Sequence, residues 1–331
     1  MDIRPVEDAA VLAVWHAVEA ASLEADHLAL PADPIEDRLP LLDPSVPEAG
    51  EKTLLQLGCD DGVPTGTIEL NLPLLDNLSA ATINVHVHPD LRRRGHGRTL
   101  LAAAMDEAVG LGRSRLFFEA PAPYPSGIGS AEPLLRSVGA RPVLKEVRRL
   151  LDLRRDVPAA PPAAPGGYRL VQWVDRVPDE HLDDLAYLMY RMSTDAPFEE
   201  MDWEPEAWDG ARYREREASS MARGRIRYGT LVVHEECGRA VAFTEIGVNR
   251  FLLETAYQWE TIVEREHRGH GLGLLVKAHN HHLLADRSPA TRWLNTWNAE
   301  SNTHMVAINE ALGFRAVEYW SEWQLTPRAG T

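Results

Sequence analysis

Residues 267–273 form a glycine-rich stretch whose composition could bind a phosphate group. The stretch follows the apolar residues 259–263 and precedes the apolar residues 274–276, which is the order of a strand, a tight turn and a helix start. Glycines let backbone N–H groups converge on one point without a side chain in the way. The positive end of the helix dipole adds to them, and Arg268 supplies a fixed charge beside the turn. The stretch therefore predicts a site for a phosphate or pyrophosphate.

A second copy of this turn lies at residues 92–98. Three pairs of turn residues are each 176 positions apart: Arg92 and Arg268, Gly95 and Gly271, and Gly97 and Gly273. Three pairs outside the turn keep the same spacing: Gly62 and Gly238, Glu69 and Glu245, and Val87 and Val263. Because the register holds over this length without a gap, the sequence predicts an internal duplication.

The elements that must position the two turns also follow one order in both halves. The patterns predict a strand, one or two helices, three strands, the glycine turn, a helix, a strand, a helix and a final strand. In the second half, the helices before the turn are predicted at 179–192 and 204–222. Residues 156–167 are rich in Pro, Ala and Gly, which is typical of a semi-rigid linker. We therefore expect a mixed α/β fold with domains at 1–155 and 168–331, joined by that linker.

The bulk composition restricts the classes of function. The chain has 331 residues and a net charge of −16, which argues against nucleic acid as a partner. No apolar run could span a bilayer, no signal-peptide pattern is visible and the two cysteines lie far apart, so we expect a cytoplasmic protein without a membrane partner. The histidines lack the spacing of metal ligands, so no metal is expected.

The first turn lies in a longer motif, which reads Val87-x-Pro89-x-x-Arg92-Arg93-Arg94-Gly95-His96-Gly97-x-x-Leu100-Leu101. This motif resembles the acetyl-CoA motif of the GCN5-related N-acetyltransferase (GNAT) superfamily, and residues 263–273 resemble a second copy. The two-domain architecture is similar to that of the mycothiol synthase type of tandem acetyltransferase. The resemblance implies two tandem domains, each with a central mixed β-sheet that is splayed between its fourth and fifth strands and flanked by helices. It also implies acetyl-CoA as cosubstrate and an amine as acceptor.

The resemblance further assigns residues to the cosubstrate. The pantetheine arm is expected along the fourth strand of each domain, at Val85, His86 and Val87 and at Thr261, Ile262 and Val263. The pyrophosphate is expected on the two turns, at Arg92, Arg93, Arg94, Gly95, His96, Gly97 and Arg98 and at Arg268, Gly269, His270, Gly271, Leu272 and Gly273. Asn298 and Asn302 match an asparagine of the family that contacts the pantetheine arm, and either could instead be a helix cap. The N-terminal half has no equivalent, so we expect its acyl-acceptor part to be degenerate and the C-terminal half to be catalytic.

The candidate catalytic residues lie in the C-terminal half. Glu260 stands where the family often has a carboxylate that acts as a base, and the N-terminal counterpart is Asn84, which cannot titrate. Glu245 is the second candidate. The family often has a Tyr in its last helix that acts as the acid toward the leaving thiolate. This chain has Asn309 there, which leaves Tyr257 or Tyr319 as possible acids.

These residues support three hypotheses. The first is an N-acetyltransferase that acts on a small-molecule amine, which the acidic loop at 195–204 would attract. The second is a non-catalytic acyl-CoA sensor or scaffold, and the third is an acetyltransferase for a protein amine. The sequence does not fix the acceptor amine, the acyl chain or the oligomeric state.

Overall fold

The computed structural model describes residues 1–27, 29–127, 129–156, 160–197 and 199–327. Residues 157–159 of the predicted linker lie outside the described residues. The chain divides into two compact units. Unit 1 contains Met1–Glu146, Phe198–Glu204 and Glu318–Thr331, and unit 2 contains Val147–Pro197 and Pro205–Val317.

The elements of the first half follow the predicted order. They are β1 (Asp2–Pro5), α1 (Ala9–Asp26), α2 (Ile35–Arg38), β2 (Glu51–Asp60), β3 (Val63–Pro73), β4 (Ala80–Val87), α3 (His96–Gly110), β5 (Arg115–Pro123), α4 (Glu132–Ser137) and β6 (Arg141–Asp152). Helix α1 begins after Asp8, whose side chain accepts hydrogen bonds from the N–H groups of Ala10 and Val11 and so caps the helix. Strands β1 to β4 pair antiparallel in sequence order, and β5 pairs parallel to β4.

The second half repeats this order. Its elements are α5 (Leu153–Asp156), β7 (Tyr168–Val174), α6 (Leu182–Asp195), α7 (Gly210–Ala222), β8 (Arg225–His234), β9 (Ala240–Asn249), β10 (Leu252–Val263), α8 (Leu272–Arg287), β11 (Trp293–Ala299), α9 (Thr303–Ala311) and β12 (Arg315–Leu325). Strands β7 to β10 pair antiparallel, and β11 pairs parallel to β10. The mixed sheets and the flanking helices confirm the predicted fold class.

Each half has a point where its fourth and fifth strands separate. The registered pairs between β4 and β5 run from Ala80 with Arg115 to Ile83 with Phe118, although β4 continues to Val87. The pairs between β10 and β11 run only from Thr255 with Trp293 to Tyr257 with Asn295, although β10 continues to Val263. Beyond these pairs the facing edges of the strands are left to bind something else, as the splayed sheet of the resemblance implies.

Helices cover both faces of the unit 2 sheet. On one face, Ile246 and Val248 pack with Ala278 and Leu284 of α8. On the other face, buried side chains from the sheet and from α6 and α7 form a separate core that includes Leu185, Tyr213, Leu231, Phe243 and Ile262. A residue of β9 or β10 therefore faces either α8 or the pair α6 and α7, and this decides which site it can join.

Helix α7 is shorter than predicted. The expected helix at 204–222 begins only at Gly210, because Asp209 accepts a hydrogen bond from the N–H of Arg212 and caps the helix there. The prediction extended the helix back over residues whose polarity is compatible with a helical surface but which adopt no regular structure.

Candidate active site

The two glycine turns have the same backbone conformation. In the second turn, Gly269 and Gly271 have φ angles of 84° and 73°, and in the first turn Arg93 and Gly95 have φ angles of 63° and 93°. Helices α3 and α8 start directly after these residues, and neither helix has a side-chain cap on its first N–H groups. Alternating left-handed residues followed by an open helix start make a concave set of N–H donors that suits an anion. The geometry therefore fits the predicted pyrophosphate site in both units.

The side chains around the two turns differ. Arg93, Arg94 and Arg98 are exposed on the first turn. At the same spacing the second turn has Gly269, His270 and Leu274, and Leu272 takes the place of His96. The first turn thus carries more positive charge, while the second relies on its backbone. Arg93 also adopts the left-handed conformation without being glycine, which costs about 1–2 kcal/mol.

Arg92 and Arg268 hold the turns rather than face outward from them. The Nε of Arg268 donates to the carbonyl of Val263 at 3.1 Å, and its Nη2 donates to Asp195 at the end of α6 at 2.7 Å. The Nε of Arg92 donates to the carbonyl of Val87 at 3.1 Å, and its guanidinium binds Asp26 at the end of α1 at 2.7 and 2.8 Å. The structure thus places both guanidinium groups on a neighbouring helix end, where they brace the turn.

Asp195 and the predicted acidic loop are occupied by arginines. Asp195 also binds Arg191 and Arg265, and although its burial raises its pKa, hydrogen bonds from these arginines lower it overall. Asp202 and Glu204 bind Arg115 within unit 1. Each of these carboxylates already has a cationic partner, so attraction of an amine by this loop stays a prediction.

The strand residues predicted to bind the pantetheine arm lie where the strands separate. Thr261, Ile262 and Val263 pair with β9 on one edge, and on the other edge they lie beyond the last pair with β11. Val85, His86 and Val87 have the same position between β3 and the open edge. Burial lowers the pKa of His86 to about 4, so this imidazole is neutral near pH 7.

A β-bulge distinguishes β10 from β4. Gln258 pairs with Ile246 and Thr261 pairs with Thr244, so Trp259 and Glu260 together lie opposite Glu245. The register between β3 and β4 has no such shift. A bulge leaves one residue unpaired and changes the direction of the side chains around it. Gly247 makes room for the indole of Trp259, because a Cβ at Gly247 would lie 2.1 Å from that ring.

The bulge lies over a buried ion network on the face covered by α6 and α7. Glu245 is fully buried and accepts from Arg227 at 2.6 and 2.8 Å, from Arg216 at 3.1 Å and from the Tyr213 hydroxyl at 2.8 Å. Burial raises the pKa of Glu245, but Arg227 and Arg216 outweigh it and hold the pKa below its ordinary value. A carboxylate in this environment is a stable anion and a poor proton acceptor.

Glu260 forms the outer part of the same network. Arg216 binds it with two hydrogen bonds from Nη2, at 2.8 and 2.9 Å. The side chains of Arg216 and Glu260 are 19% and 22% exposed, whereas those of Arg227 and Glu245 are 0% exposed. Of the two predicted bases, only Glu260 is therefore within reach of a molecule in the cleft.

The predicted acids lie in different places. Tyr257 is the last residue of β10 that pairs with β11, and its ring stacks on Trp297 with the centroids 6.3 Å apart. Tyr319 belongs to unit 1, where Tyr124 lies against its ring and the Nζ of Lys145 lies 4.0 Å from its centroid. The structure thus brings Tyr257 to the point where β10 and β11 separate, and it places Tyr319 outside unit 2.

A chain of amides links the predicted pantetheine contact to a buried lysine. The Nζ of Lys277 donates to Oδ1 of Asn309 at 2.7 Å, and Nδ2 of Asn309 donates to Oδ1 of Asn298. Asn302 caps α9 by accepting from the N–H of Met305 at 3.2 Å, which is the alternative role considered for it. Burial lowers the pKa of Lys277 to about 7. Sequence reasoning missed Lys277, and its only signal was a cation among apolar residues of α8.

The corresponding cleft of unit 1 is acidic. Glu119 follows the last pair of β5 with β4, and Glu322 of β12 lies directly opposite it. Burial and the neighbouring carboxyls raise the pKa of Glu146 to about 7 and the pKa of Glu322 well above its ordinary value. The side chain of Glu119 is accessible, but the protein around it removes enough water to raise its pKa as well. The Glu119 carboxyl thus adds to burial in raising the pKa of Glu146 and Glu322.

Within the described ranges, no group of His, Cys, Asp and Glu side chains has the arrangement of a metal site. Among the helices that the structure describes, none is long and apolar enough to cross a membrane.

Comparisons with known proteins agree with this geometry. The acetyltransferase (GNAT) family model matches residues 20–124. A mycothiol acetyltransferase of Gordonia bronchialis is 28% identical over 71% of this chain and 70% of its own length. A mycothiol acetyltransferase of Thermomonospora curvata is 29% identical over 78% of this chain and 77% of its own length.

The fold comparison covers the duplication as a whole. A tandem GNAT protein from the clavulanic acid biosynthesis pathway superimposes with a TM-score of 0.84 at 28% identity, over 99% of both chains. The repeated turns, the strands that separate in both units and these relatives agree on one family. Residues 20–124 match the GNAT family, and the whole chain is similar in sequence and fold to acetyltransferases, one of them with two GNAT domains in tandem, which supports an N-acetyltransferase with this tandem architecture.

Proposed function

We propose that the protein transfers an acetyl group from acetyl-CoA to the amine of a small molecule, with the chemistry in unit 2. The observation that carries this proposal is the bulge of β10, which presents Glu260 beside the open edge of the strand. The equivalent strand of unit 1 has no bulge and has Asn84 in place of Glu260. The relatives named for mycothiol support a small-molecule acceptor.

The residues of unit 2 fit acetyl-CoA as cosubstrate. The N–H groups of the turn at 269–273 would bind the pyrophosphate, and the open edge of Thr261–Val263 would bind the amides of the pantetheine arm. Asn298 would donate from its Nδ2, because its Oδ1 already accepts from Asn309. These contacts hold the thioester where the two strands separate.

The transfer then needs one proton acceptor. Glu260, directly or through a water molecule, would take a proton from the acceptor ammonium group. The free amine attacks the carbonyl carbon, so that a C–N bond forms and the C–S bond breaks. The attacking nitrogen then loses its second proton to the departing CoA sulfur, directly or through solvent, so that the products are the amide and the CoA thiol, whose pKa is near 8.5. Backbone N–H groups of β10 beyond Tyr257 would stabilise the negative charge on the carbonyl oxygen.

Release of free CoA thiol from acetyl-CoA tests this proposal. The protein should release thiol when a small amine from a panel is present, and each mole of thiol should match one mole of N-acetylated product by mass spectrometry. Acetyl-CoA should also raise the unfolding temperature. If acetyl-CoA stabilises the protein but no amine releases thiol, the chain is an acyl-CoA sensor. If only lysine-containing peptides are acetylated, the acceptor is a protein amine.

A further inference from the structure

We infer that the acceptor carries a carboxylate as well as its amine, and that Arg216 binds this carboxylate while Glu260 receives the ammonium group. The inference rests on the proposed function, because it assigns the chemical class of the acceptor in the same cleft. It is carried by the geometry of the Arg216–Glu260 pair and by what surrounds the pair.

The inner ion pair does not need Arg216. Glu245 is paired with Arg227 through both carboxylate oxygens and also accepts from the Tyr213 hydroxyl. This arrangement matches one buried anion with one buried cation. Arg216 contributes a single contact to Glu245, at 3.1 Å. Its own charge is balanced by Glu260, so Arg216 and Glu260 form a separate outer pair.

A strand carboxylate at the position of Glu260 is not required by the fold. In unit 1, Glu69 has the position of Glu245 and binds Arg38 at 3.1 Å. The position of Glu260 is taken by Asn84, and the second carboxylate that Arg38 binds, at 3.2 Å, is Glu19 of α1. A GNAT domain of this chain therefore folds without a carboxylate on the strand at this position, and the presence of Glu260 in unit 2 calls for a function.

The outer pair is complementary to a zwitterion. An acceptor carboxylate can replace Glu260 on the guanidinium of Arg216, and the acceptor ammonium can replace Arg216 on Glu260. Two ion pairs then replace one, and neither protein charge loses its partner. A plain amine would take Glu260 and leave Arg216 only its contact to Glu245, which is unfavourable in a cleft where both side chains are about four-fifths covered. The site therefore favours molecules that carry both charges.

Trp259 limits how far Arg216 can move in this exchange. The guanidinium carbon of Arg216 lies 5.7 Å from the centre of the Trp259 ring and 6.0 Å from that of Tyr213. These aromatic faces can hold the cation after Glu260 is withdrawn. Arg216 thus stays in the cleft as a carboxylate receptor when the acceptor enters.

Matched acceptor pairs test this inference. The probes are 4-aminobutyrate with propylamine, and phenylalanine with 2-phenylethylamine, so that each pair differs by one carboxylate. We expect kcat/KM of the wild-type protein to be roughly 10- to 100-fold higher for the carboxylate-bearing member of at least one pair. Arg216→Gln should reduce this ratio to about one. Arg216→Lys should keep part of it, because an ammonium group has the positive charge but lacks the two parallel N–H donors of a guanidinium group.

Two results would overturn the inference. The first is that the wild-type protein acetylates both members of every pair at the same rate, or acetylates neither member of any pair. The second is an Arg216→Gln variant that lowers both rates by the same factor, since Arg216 would then only position Glu260. In both cases the proposed function would still hold if the wild-type protein acetylates other amines of the panel. Failure of this inference can therefore be distinguished from failure of the proposed function. The unfolding temperature of each variant is the control for folding.

Discussion

The two glycine turns have the same backbone conformation, but the strands beside them differ. Both have two left-handed residues and an open helix start, and both are braced by an arginine that binds the preceding strand and an aspartate at a helix end. The strands before them differ, because β10 has a bulge with Glu260 and β4 is regular with Asn84. The turn therefore indicates a capacity to bind a cosubstrate, and under the proposed function the strand beside it determines where chemistry occurs.

The carboxyl groups of the two clefts also have different partners. In unit 2, two carboxylates face two arginines. In unit 1, burial raises the pKa of Glu119, Glu146 and Glu322, and the Glu119 carboxyl raises the pKa of Glu146 and Glu322 further. The unit 2 cleft is therefore held in one arrangement by ion pairs, and the unit 1 cleft has carboxyls that oppose each other at neutral pH.

A matched pair of glycine substitutions should separate the two turns. Gly271→Ala and Gly95→Ala each place a Cβ on a residue with positive φ and with open space around it, so each costs about 1–2 kcal/mol of stability. Only Gly271→Ala should raise the KM for acetyl-CoA, by roughly 10-fold, because under the proposed function the Cβ and the strain lie on the turn that serves the reaction. Steady-state kinetics check this. Equal loss in the two variants would mean that both turns serve turnover.

Substitution of Lys277 should raise the stability of the protein and lower its activity. Because burial lowers the pKa of Lys277 from 10.5 to about 7, the folded state binds fewer protons than the unfolded state between those values, and stability rises with pH there. The full penalty of the charged lysine applies below pH 7. Lys277→Met should therefore raise the unfolding temperature more at pH 6 than at pH 10.

The same variant should turn over roughly 5-fold more slowly, because Asn309 loses the donor that orients it toward Asn298. Asn309→Leu is its control and should slow turnover without the pH-dependent stabilisation. A Lys277→Met variant with wild-type kinetics would show that the amide chain has no part in the reaction.

Glu146 tests the acidic cleft of unit 1. Its pKa is raised from 4.5 to about 7, so the stability that it contributes is complete below pH 4.5 and is lost as the pH rises through 7. Glu146→Gln should raise the unfolding temperature at pH 8 by roughly 2–4 °C, for about 1 kcal/mol, and should leave it unchanged at pH 4. Asp106→Asn on α3, an exposed carboxyl of unit 1, is the control. Stabilisation of equal size at both pH values would rule out carboxyl repulsion as the cause.

The sequence was sufficient for the features that depend on local pattern. The spacing of Gly95 and Gly271 revealed the duplication, and the apolar runs placed the strands on either side of each turn. The exchange of Glu260 for Asn84 was visible because the register between the halves has no gap. These features repeat along the chain, so one half served as a reference for the other.

Features that depend on contacts between distant residues were not predictable. The partner of Glu260 is Arg216 on α7, and a sequence pattern does not show which of several arginines on that helix faces the sheet. The bulge of β10 has no glycine or proline to mark it. Arg268 looked like a phosphate ligand because its sequence neighbours form the turn, whereas its partner Asp195 is 73 residues away.

One measurement tests most directly whether the chemistry lies in unit 2. Glu260→Gln and Glu119→Gln each remove one carboxyl from the cleft of one unit, and initial rates of thiol release at saturating acetyl-CoA compare them with the best amine of the panel. We expect Glu260→Gln to lose most of its turnover while acetyl-CoA still stabilises it, and Glu119→Gln to turn over like the wild-type protein. The opposite pattern, with turnover lost in Glu119→Gln and kept in Glu260→Gln, would place the reaction in unit 1 and refute the assignment of the chemistry to unit 2.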